Sequence, residues 1–315
     1  MRKIIYFLIT IILTSFCFAG VTLKNCKLSN VSNKNNYLLN NYKDGLIVAT
    51  NPRLVIATAR DYNSFAYTRT SDGAVGIAQY KNGYADTDSI NTFLSGTTGR
   101  VINMYNQVNY LNIITQDNVP LRPYVNTNIG VWTSTTSINT YYTGGLWNFI
   151  PDSPEIRFTN AMTLIFMIKK DVDATTAEFL FSKHIENVSG YEVHLNAASS
   201  GYSTIRYLIH RLGAFDALDV ITPAFYIKTG EKTQLAFVFD NGIMRIYVNG
   251  VKYPFETICP VTSIPVDSTP LYFGIRNGAI YPIQQLHLYS FYAWARVLTD
   301  AEILDIYQKE KLLGD

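Results

Sequence analysis

The sequence predicts an all-β sandwich, and three observations carry that prediction. Tyr (23) and Phe (17), together with many Asn, Thr and Ser, supply strand-forming residues and turn-formers. Beyond residue 156, short apolar runs alternate with Gly, Asn or Pro at steady spacing, which is typical of a sandwich or barrel. The stretch DNGIMRIYVNG, residues 240–250, contains two Asn-Gly pairs that lie one strand apart.

The two Asn-Gly pairs predict consecutive hairpin turns. Both central residues of a type I′ turn take positive φ, which Asn-Gly tolerates best, and the twist of that turn matches the flanking strands. Residues 234–253 are therefore predicted to form a three-strand meander. Strand alternation places Met244 and Ile246 on one face and Arg245 and Tyr247 on the other, so that one face packs and the other meets water or ligand.

The chain before residue 156 is predicted to contain a few mixed elements. These are a short helix from Asn51 with Pro52 at its first position, a strand over 65–73, a helix over 86–96, and a strand over 100–108. The Thr- and Asn-rich segment 126–145 is predicted to form edge strands and loops within the same domain.

A helix is predicted at the end of the sequence, in LTDAEILDIYQKEK. Thr299 and Glu302 have the spacing of a capping box. Asp300 lies near the positive N-terminal end of that helix, and Lys309 and Lys311 lie near its negative C-terminal end.

Residues 1–19 have the layout of a secretory signal peptide. Arg2 and Lys3 precede an apolar run over 4–13, and Ala19 precedes Gly20. The run is too short for a membrane-spanning helix, so no membrane insertion is expected after cleavage. The mature protein is predicted to be secreted or extracellular at the cell surface, or periplasmic if a Gram-negative bacterium retains it. An irregular lead-in is predicted over residues 20–45.

Composition excludes some partners and leaves other questions open. The formal net charge is +2 and only 16% of residues are charged, so no nucleic-acid footprint is present. Cys26 and Cys259 lie beyond the signal peptide and allow either one disulfide bond or two free thiols. The oligomeric state does not follow from the sequence.

Two resemblances refine the fold class. The run AFVFDNGIMRIYVNGVKY, then LYFGIRNG, then FYAWARVLTDAEILDIY resembles the concanavalin A-like jelly roll of the laminin G-like type, over about residues 146–312. Ala295, Arg296, Leu298, Thr299 and Glu302 match its closing motif. This resemblance implies a concanavalin A-like jelly-roll β-sandwich with a short C-terminal helix, and a single domain over residues 46–315.

The second resemblance covers about residues 46–125. The run from SFAYTRTSDG to YNQ, followed by ITQDNVPLRPYV, resembles the start of the catalytic domain of the α-L-arabinofuranosidase B family. The chain keeps the family's residues at several positions and departs from it at Met104 and Asn106. The retained residues are Arg69, Ser71, Asp72, Asp86, Thr87, Tyr105 and Gln107.

No catalytic pair of carboxyl groups can be identified by motif. A retaining glycosidase needs two of them about 5 Å apart. Glu192 and His194 are the best local candidates, since in YEVHLN they share one strand face with Asn196, while Tyr191 and the other apolar residues share the opposite face. The alternative interpretation of these residues is an exposed polar strand face.

No cofactor is predicted. His184, His194, His210 and His287 show no metal-ligand spacing and are expected to be surface or satisfied core residues. The resemblance to the jelly roll allows a structural Ca²⁺ ion, although no loop carries a specific Ca²⁺ pattern.

Carbohydrate binding requires exposed aromatic rings beside hydrogen-bonding groups. Trp132, Tyr141, Tyr142 and Trp147 could form such a platform, although large aromatic residues are often core residues, as we expect of Trp294. The predicted function is therefore a non-catalytic, lectin-like or adhesion module that binds a glycan or another surface ligand. The alternatives are a glycoside hydrolase of the α-L-arabinofuranosidase type and a structural surface protein.

Overall fold

Strands dominate the structure, which is a computed structural model. It describes residues 37–51, 53–59, 63–81, 83–109, 114–118, 122, 124–126, 131–134, 148–174, 177–185, 188–197, 202–211, 218–221, 227–254, 256–276, 283 and 285–312. The predicted signal peptide and the first part of the predicted lead-in lie outside these residues. No helix among the described residues is long and apolar enough to cross a membrane.

The strands, in chain order, are β1 (Leu46–Thr50), β2 (Asn63–Arg69), β3 (Val75–Lys81), β4 (Tyr84–Ala85), β5 (Gly99–Met104), β6 (Ile114–Thr115), β7 (Tyr124–Asn126), β8 (Val131–Ser134), β9 (Asn148–Ile150), β10 (Ala161–Lys170), β11 (Glu178–Ile185), β12 (Ser189–Ala197), β13 (Tyr202–Ile209), β14 (Leu218–Ile221), β15 (Ile227–Lys228), β16 (Lys232–Asp240), β17 (Ile243–Val248), β18 (Val251–Lys252), β19 (Thr257–Ile258), β20 (Leu271–Phe273) and β21 (Leu286–Trp294). The helices are α1 (Thr87–Phe93) and α2 (Asp300–Leu312), with 3₁₀ turns at Asn40–Tyr42, Ala57–Ala59 and Pro154–Ile156.

These strands form two antiparallel layers. In the first, sheet I, β10 pairs with β16 on one side and β21 on the other; β17 pairs with β16, and β1 pairs with β21. In the second, sheet II, the order is β13, β12, β11, β20, β9, β6, β5, β2 and β3. The two layers are connected through β7 and β8, which pair with each other. β7 also pairs with β5 of sheet II, and β8 pairs with β21 of sheet I.

Aromatic rings from both sheets fill the space between the layers. The ring of Phe166 on β10 is stacked on Phe181 of sheet II, with centroids 4.9 Å apart, and lies 4.8 Å from Phe291. Phe237 and Phe273 complete the contacts around it. Because this cluster joins strands distant in sequence, it supports the predicted all-β sandwich of the jelly-roll class.

The outer face of sheet I is also apolar and is covered by α2 and residues 37–59. Trp294 is buried there, as predicted, and donates its indole N–H to the carbonyl of Tyr42 at 2.7 Å. The apolar residues that share this second core are Leu38, Leu39, Leu46, Ala49, Val55, Ile56, Ala59, Ile165, Ala236, Val238, Tyr247, Tyr292, Leu298, Ile303 and Ile306.

The predicted meander is confirmed, but one expectation for it is wrong. Asn241 and Gly242 have φ of 46° and 97°, and Asn249 and Gly250 have φ of 52° and 77°, as a type I′ turn requires. The face with Tyr247 does not meet water or ligand. Tyr247 is 1% exposed, because α2 covers this face and Asp300 accepts a hydrogen bond from the tyrosine hydroxyl at 2.6 Å.

Of the helices predicted at the end of the sequence and from Asn51, the first is confirmed and the second is wrong. The capping box before α2 is confirmed, since the Thr299 N–H donates to Glu302 Oε2 at 2.8 Å and the Glu302 N–H donates to Thr299 Oγ1 at 3.2 Å. The helix predicted from Asn51 is absent from the described residues there, which contain only the 3₁₀ turn at 57–59. The physical reason is Gln107, whose buried amide accepts the Val55 N–H at 2.8 Å and donates to carbonyls of the same segment.

Replacement of Gly250 tests the docking of α2 on the meander. We expect Gly250→Ala to lower the free energy of unfolding by about 2–4 kcal/mol, because positive φ strains alanine and overpacking adds to the cost. A Cβ at this position would lie 2.9 Å from Leu304 Cδ1 and 3.0 Å from Leu304 Cα. The matched control is Gly73→Ala, where φ is 74° and a Cβ meets nothing within 4 Å. Equal losses in urea unfolding would contradict the proposed contact.

The carboxyl group of Glu310 predicts a pH dependence of stability. Glu310 lies on α2, and its carboxyl group is buried between this helix and β21. Tyr292 donates a hydrogen bond to Oε1 at 3.1 Å, and Ser290 makes a second contact. Burial raises the pKa of Glu310 above its ordinary value. At intermediate pH the folded protein therefore retains the Glu310 proton, whereas the unfolded chain has released it. The contribution of this group to the free energy of unfolding is fully present below a pH of about 4.3 and is lost as the pH rises through the folded-state pKa.

We expect the stability of Glu310→Gln to rise relative to that of the unmodified protein as the pH is increased from about 4 to about 8, since the amide needs no proton. Urea unfolding at several pH values measures the difference. Glu256→Gln serves as the control with the opposite sign. Hydrogen bonds from Lys252 and Arg245 lower the pKa of Glu256 and outweigh the opposing effect of its own partial burial. A Glu310→Gln difference that does not change with pH would contradict the assignment.

Candidate functional site

The candidate site lies on the face of sheet II that is turned away from the core between the layers. On β12, Tyr191, Val193 and Leu195 point into that core and are buried. Glu192 and His194 point the opposite way, as predicted, yet they are only 2% and 5% exposed. The interpretation of an exposed polar strand face is therefore wrong, because this polar face is covered.

Glu192 lies between two buried histidines, and these three residues are called the histidine–glutamate cluster below. His184 Nε2 is 3.3 Å from Glu192 Oε2, and His210 Nε2 is 3.2 Å from Glu192 Oε1. The two imidazole rings are stacked with centroids 4.4 Å apart and planes inclined by 23°. One carboxylate and two imidazoles are thus buried side by side.

The register of three adjacent strands brings the cluster together. His184 on β11 pairs with Gly190 on β12, and Glu192 pairs with Leu208 on β13. The N–H of His210 donates to the carbonyl of Gly190 at 2.9 Å. Gly190 has φ of 91°, and a Cβ there would lie 2.0 Å from the carbonyl oxygen of Lys183. A glycine is therefore needed at the point where the two histidine-bearing segments converge.

Arg276, just after β20, provides the cationic partner of the cluster. Its Nε donates to Glu192 Oε2 at 3.2 Å, and its guanidinium lies 5.2 Å from the ring centroid of Phe179. Phe179 in turn makes an edge contact with His194, with centroids 4.9 Å apart. The covered face therefore combines charged, imidazole and aromatic groups.

Glu192 is ionised despite its burial. Burial by itself raises the pKa of the Glu192 carboxyl group, but contact with His210, the proximity of His184 and the positive charge of Arg276 outweigh burial and lower the pKa to about 2. The group can accept hydrogen bonds, bind a cation or act as a nucleophile, but it is not a proton donor near neutral pH. Among the described residues, no second carboxylate belongs to the cluster.

A second polar group nearby is neutralised internally. The Lys183 ammonium lies 2.7 Å from Asp152 Oδ1 and 3.5 Å from the carbonyl oxygen of Asp267, and it also contacts the carbonyl of Thr269. This all-oxygen surrounding has the donor chemistry that Ca²⁺ prefers, but the ammonium already supplies the positive charge.

The structure places the other predicted site residues only in part. Trp132 lies on β8, where it pairs with Val125 of β7 and Leu288 of β21. Tyr141, Tyr142 and Trp147 lie outside the described residues, and so does Cys26; Cys259 is buried and forms no disulfide within the described part of the chain. The predicted aromatic platform therefore stays a prediction.

Sequence reasoning missed the association of His184 and His210 with Glu192. Each residue belongs to a different strand segment, so no short-range spacing connects them. A usable signal was present, because FLFSKH, YEVHLN and YLIHRLG are consecutive predicted strands that each carry a histidine. Pairing these strands as antiparallel neighbours brings two of those histidines to the same end of the sheet as Glu192.

The residues that carry the resemblance to arabinofuranosidases have structural contacts. Arg69 forms a two-point ion pair with Asp72, at 2.9 and 2.6 Å, and lies over the ring of Phe93. Asp86 caps α1 by accepting the Ser89 N–H at 3.3 Å. These contacts stabilise a turn and a helix end.

Comparison with known proteins agrees with the fold. Residues 142–304, more than half of the chain, match a laminin G model described as the concanavalin A-like lectin/glucanases superfamily. A search of curated proteins found no match. The predicted laminin G-like resemblance is confirmed.

Solved structures of arabinofuranosidases are similar to the chain in fold. One, complexed with arabinofuranosyl-α-1,2-xylobiose, has a TM-score of 0.59 at 11% identity and covers 86% of this chain and 63% of its own. Another, an α-L-arabinofuranosidase soaked with a cyclic sulfate inhibitor, has a TM-score of 0.54 at 12% identity and covers 84% of this chain and 62% of its own. The chain thus spans less than two thirds of either enzyme. With its two-layer sandwich and the match over residues 142–304, the chain belongs to the concanavalin A-like lectin/glucanases superfamily.

Proposed function

We propose that the protein is an exported, non-catalytic carbohydrate-binding protein, and that its ligand is bound at the polar face of sheet II that bears Glu192. The observation that carries the proposal is the buried, ionised Glu192 between His184, His210 and Arg276. Membership of a superfamily whose name includes lectins supports a glycan as the class of ligand.

The energetic cost of this face argues for a function. Removing a carboxylate and a guanidinium from water costs several kcal/mol per ion, and apolar residues of similar volume are often at least as stabilising. The opposite face of β12 contributes the apolar residues Tyr191, Val193 and Leu195 to the core. Fold stability alone therefore does not account for the charged groups, and groups of this kind with shifted pKa values concentrate at binding sites.

The chemistry of the face suits sugar hydroxyls. A carboxylate accepts hydrogen bonds from hydroxyl groups, a guanidinium donates to them, and neutral imidazole does both. The aromatic residues predicted for stacking, Trp132, Tyr141, Tyr142 and Trp147, would supply apolar contacts to a sugar, and their place relative to this face stays a prediction.

The absence of catalysis is proposed from the charge state of Glu192. Hydrolysis with two carboxyl groups requires one of them to donate a proton to the leaving group. Glu192, with its pKa of about 2, is ionised at neutral pH. In the described part of the chain, no other carboxylate joins it in the cluster.

A broad glycan array, with and without Ca²⁺, tests the binding function. We expect selective binding that falls at least about 10-fold in Glu192→Gln, because a neutral amide loses a charge-assisted hydrogen bond of about 1.5–3 kcal/mol. Trp147→Ala tests the stacking that the sequence predicts. Tyr84→Ala is the matched aromatic control, since Tyr84 is 48% exposed and lies on β4 away from the cluster. No binding to any glycan by the folded protein would overturn the proposal.

The second candidate function is hydrolysis of an α-L-arabinofuranoside. It is favoured by the fold shared with arabinofuranosidases and by the ionised state of Glu192, which suits a nucleophile. Release of nitrophenol from 4-nitrophenyl α-L-arabinofuranoside measures it directly. We expect no release above the rate without protein. Turnover that disappears in Glu192→Gln while Tyr84→Ala retains it would replace our proposal with the hydrolase.

A further inference from the structure

We propose that the histidine–glutamate cluster is a binding site for a divalent transition-metal ion of the Zn²⁺ class. His184 Nε2, His210 Nε2 and one carboxylate oxygen of Glu192 would be its ligands. This inference goes beyond glycan binding and does not depend on it, since it concerns only these three side chains and a metal ion.

The separations of the donor atoms fit a tetrahedral ion. Zn–N and Zn–O bonds of about 2.0–2.2 Å place adjacent ligand atoms of a tetrahedron about 3.3 Å apart. His210 Nε2 is 3.2 Å from Glu192 Oε1, whereas His184 Nε2 is 3.3 Å from the other carboxylate oxygen, Oε2. One donor atom from each of the three residues lies within 4.8 Å of the others. An ion bound to Oε1 therefore fits His210 as it stands and requires the His184 ring to move toward that oxygen.

The orientation of His210 is a second, independent observation. Its side chain is 4% exposed, and neither ring nitrogen has a hydrogen-bond partner of acceptable geometry within the described part of the chain. Nε2 is close to Glu192 Oε1 but out of line for a hydrogen bond. A buried polar atom without a partner destabilises the folded protein, and a metal ion bound by these groups would supply that partner.

The donor set selects the class of ion. Imidazole suits Zn²⁺, Cu²⁺, Fe²⁺ and Ni²⁺, whereas Ca²⁺ and Mg²⁺ prefer oxygen ligands alone. Two histidines and one glutamate leave a fourth position of a tetrahedral ion open, as in catalytic rather than structural zinc sites.

Arg276 has a defined part in this proposal. Its hydrogen bond to Glu192 Oε2 orients the carboxylate and leaves Oε1 for the ion. Its positive charge also opposes a divalent cation, so the fourth position should attract a water molecule, hydroxide or another oxygen ligand that offsets the charge.

The site is tested by titrating Zn²⁺ into the folded protein after a chelator has removed any bound metal. We expect calorimetry to find one Zn²⁺ ion per chain, and His210→Ala and Glu192→Gln to weaken binding by at least about 100-fold, more than loss of an outer-shell partner would. His194→Ala and His287→Ala are matched controls. His194 is buried on the same face outside the cluster, and His287 on β21 pairs with Asp171; both variants should bind within about 3-fold of the unmodified protein.

Cobalt substitution provides a test that needs no variant. Co²⁺ in the unmodified protein should give the intense visible absorption of a four-coordinate ion with nitrogen and oxygen ligands. The proposal would be overturned if Zn²⁺ does not bind at tens of micromolar, or if Co²⁺ gives the weak spectrum of a six-coordinate ion. It would also be overturned if His287→Ala loses as much binding as His210→Ala. Because neither measurement contains a sugar, failure of glycan binding leaves these outcomes unchanged.

Discussion

Sheet I has two apolar faces, and the rest of the structure depends on covering both of them. β10 at its centre places Phe166 in the core between the layers and Ile165 in the core under α2. A sheet with one apolar face needs one partner layer, whereas this sheet needs two. Sheet II supplies one cover, and α2 with the N-terminal segment around Tyr42 supplies the other. The C-terminal helix is therefore part of the core and not an appendage.

Sheet II differs because only one of its faces is apolar. Its strands contribute Tyr191 and Phe181 to the core and place Glu192 and His184 on the other side. Both sides are buried, but the second carries charge, so its burial costs free energy that the apolar side must offset. Sheet I thus provides the stability, while sheet II bears the groups whose chemistry can recognise a ligand or an ion.

The features that sequence predicted are those set by a few neighbouring residues. Asn249 before Gly250 specifies a turn, and Thr299 before Glu302 specifies a helix start, because both act within four residues. The alternation of β12 was predictable for the same reason. The burial of Glu192 and its contact with His210 were not, since they depend on register across three strands. The helix expected from Asn51 failed because Gln107, distant in sequence, takes its backbone hydrogen bonds.

The contacts of Gln107 also show what the resemblance to arabinofuranosidases means. Its amide donates hydrogen bonds of 3.1 and 2.7 Å to the backbone carbonyls of Asn51 and Arg53, and so joins them to the segment that follows β5. Asn106, where the chain departs from that family, accepts the Ala49 N–H at 2.9 Å. Retained and changed positions alike therefore serve to attach β1 and the segment after it to the sandwich. A sequence pattern made of such residues reports a shared way of building the fold, and the same pattern can persist when the chemistry differs. The activity of this protein is consequently a question about the face that bears Glu192 and the two histidines in contact with its carboxylate.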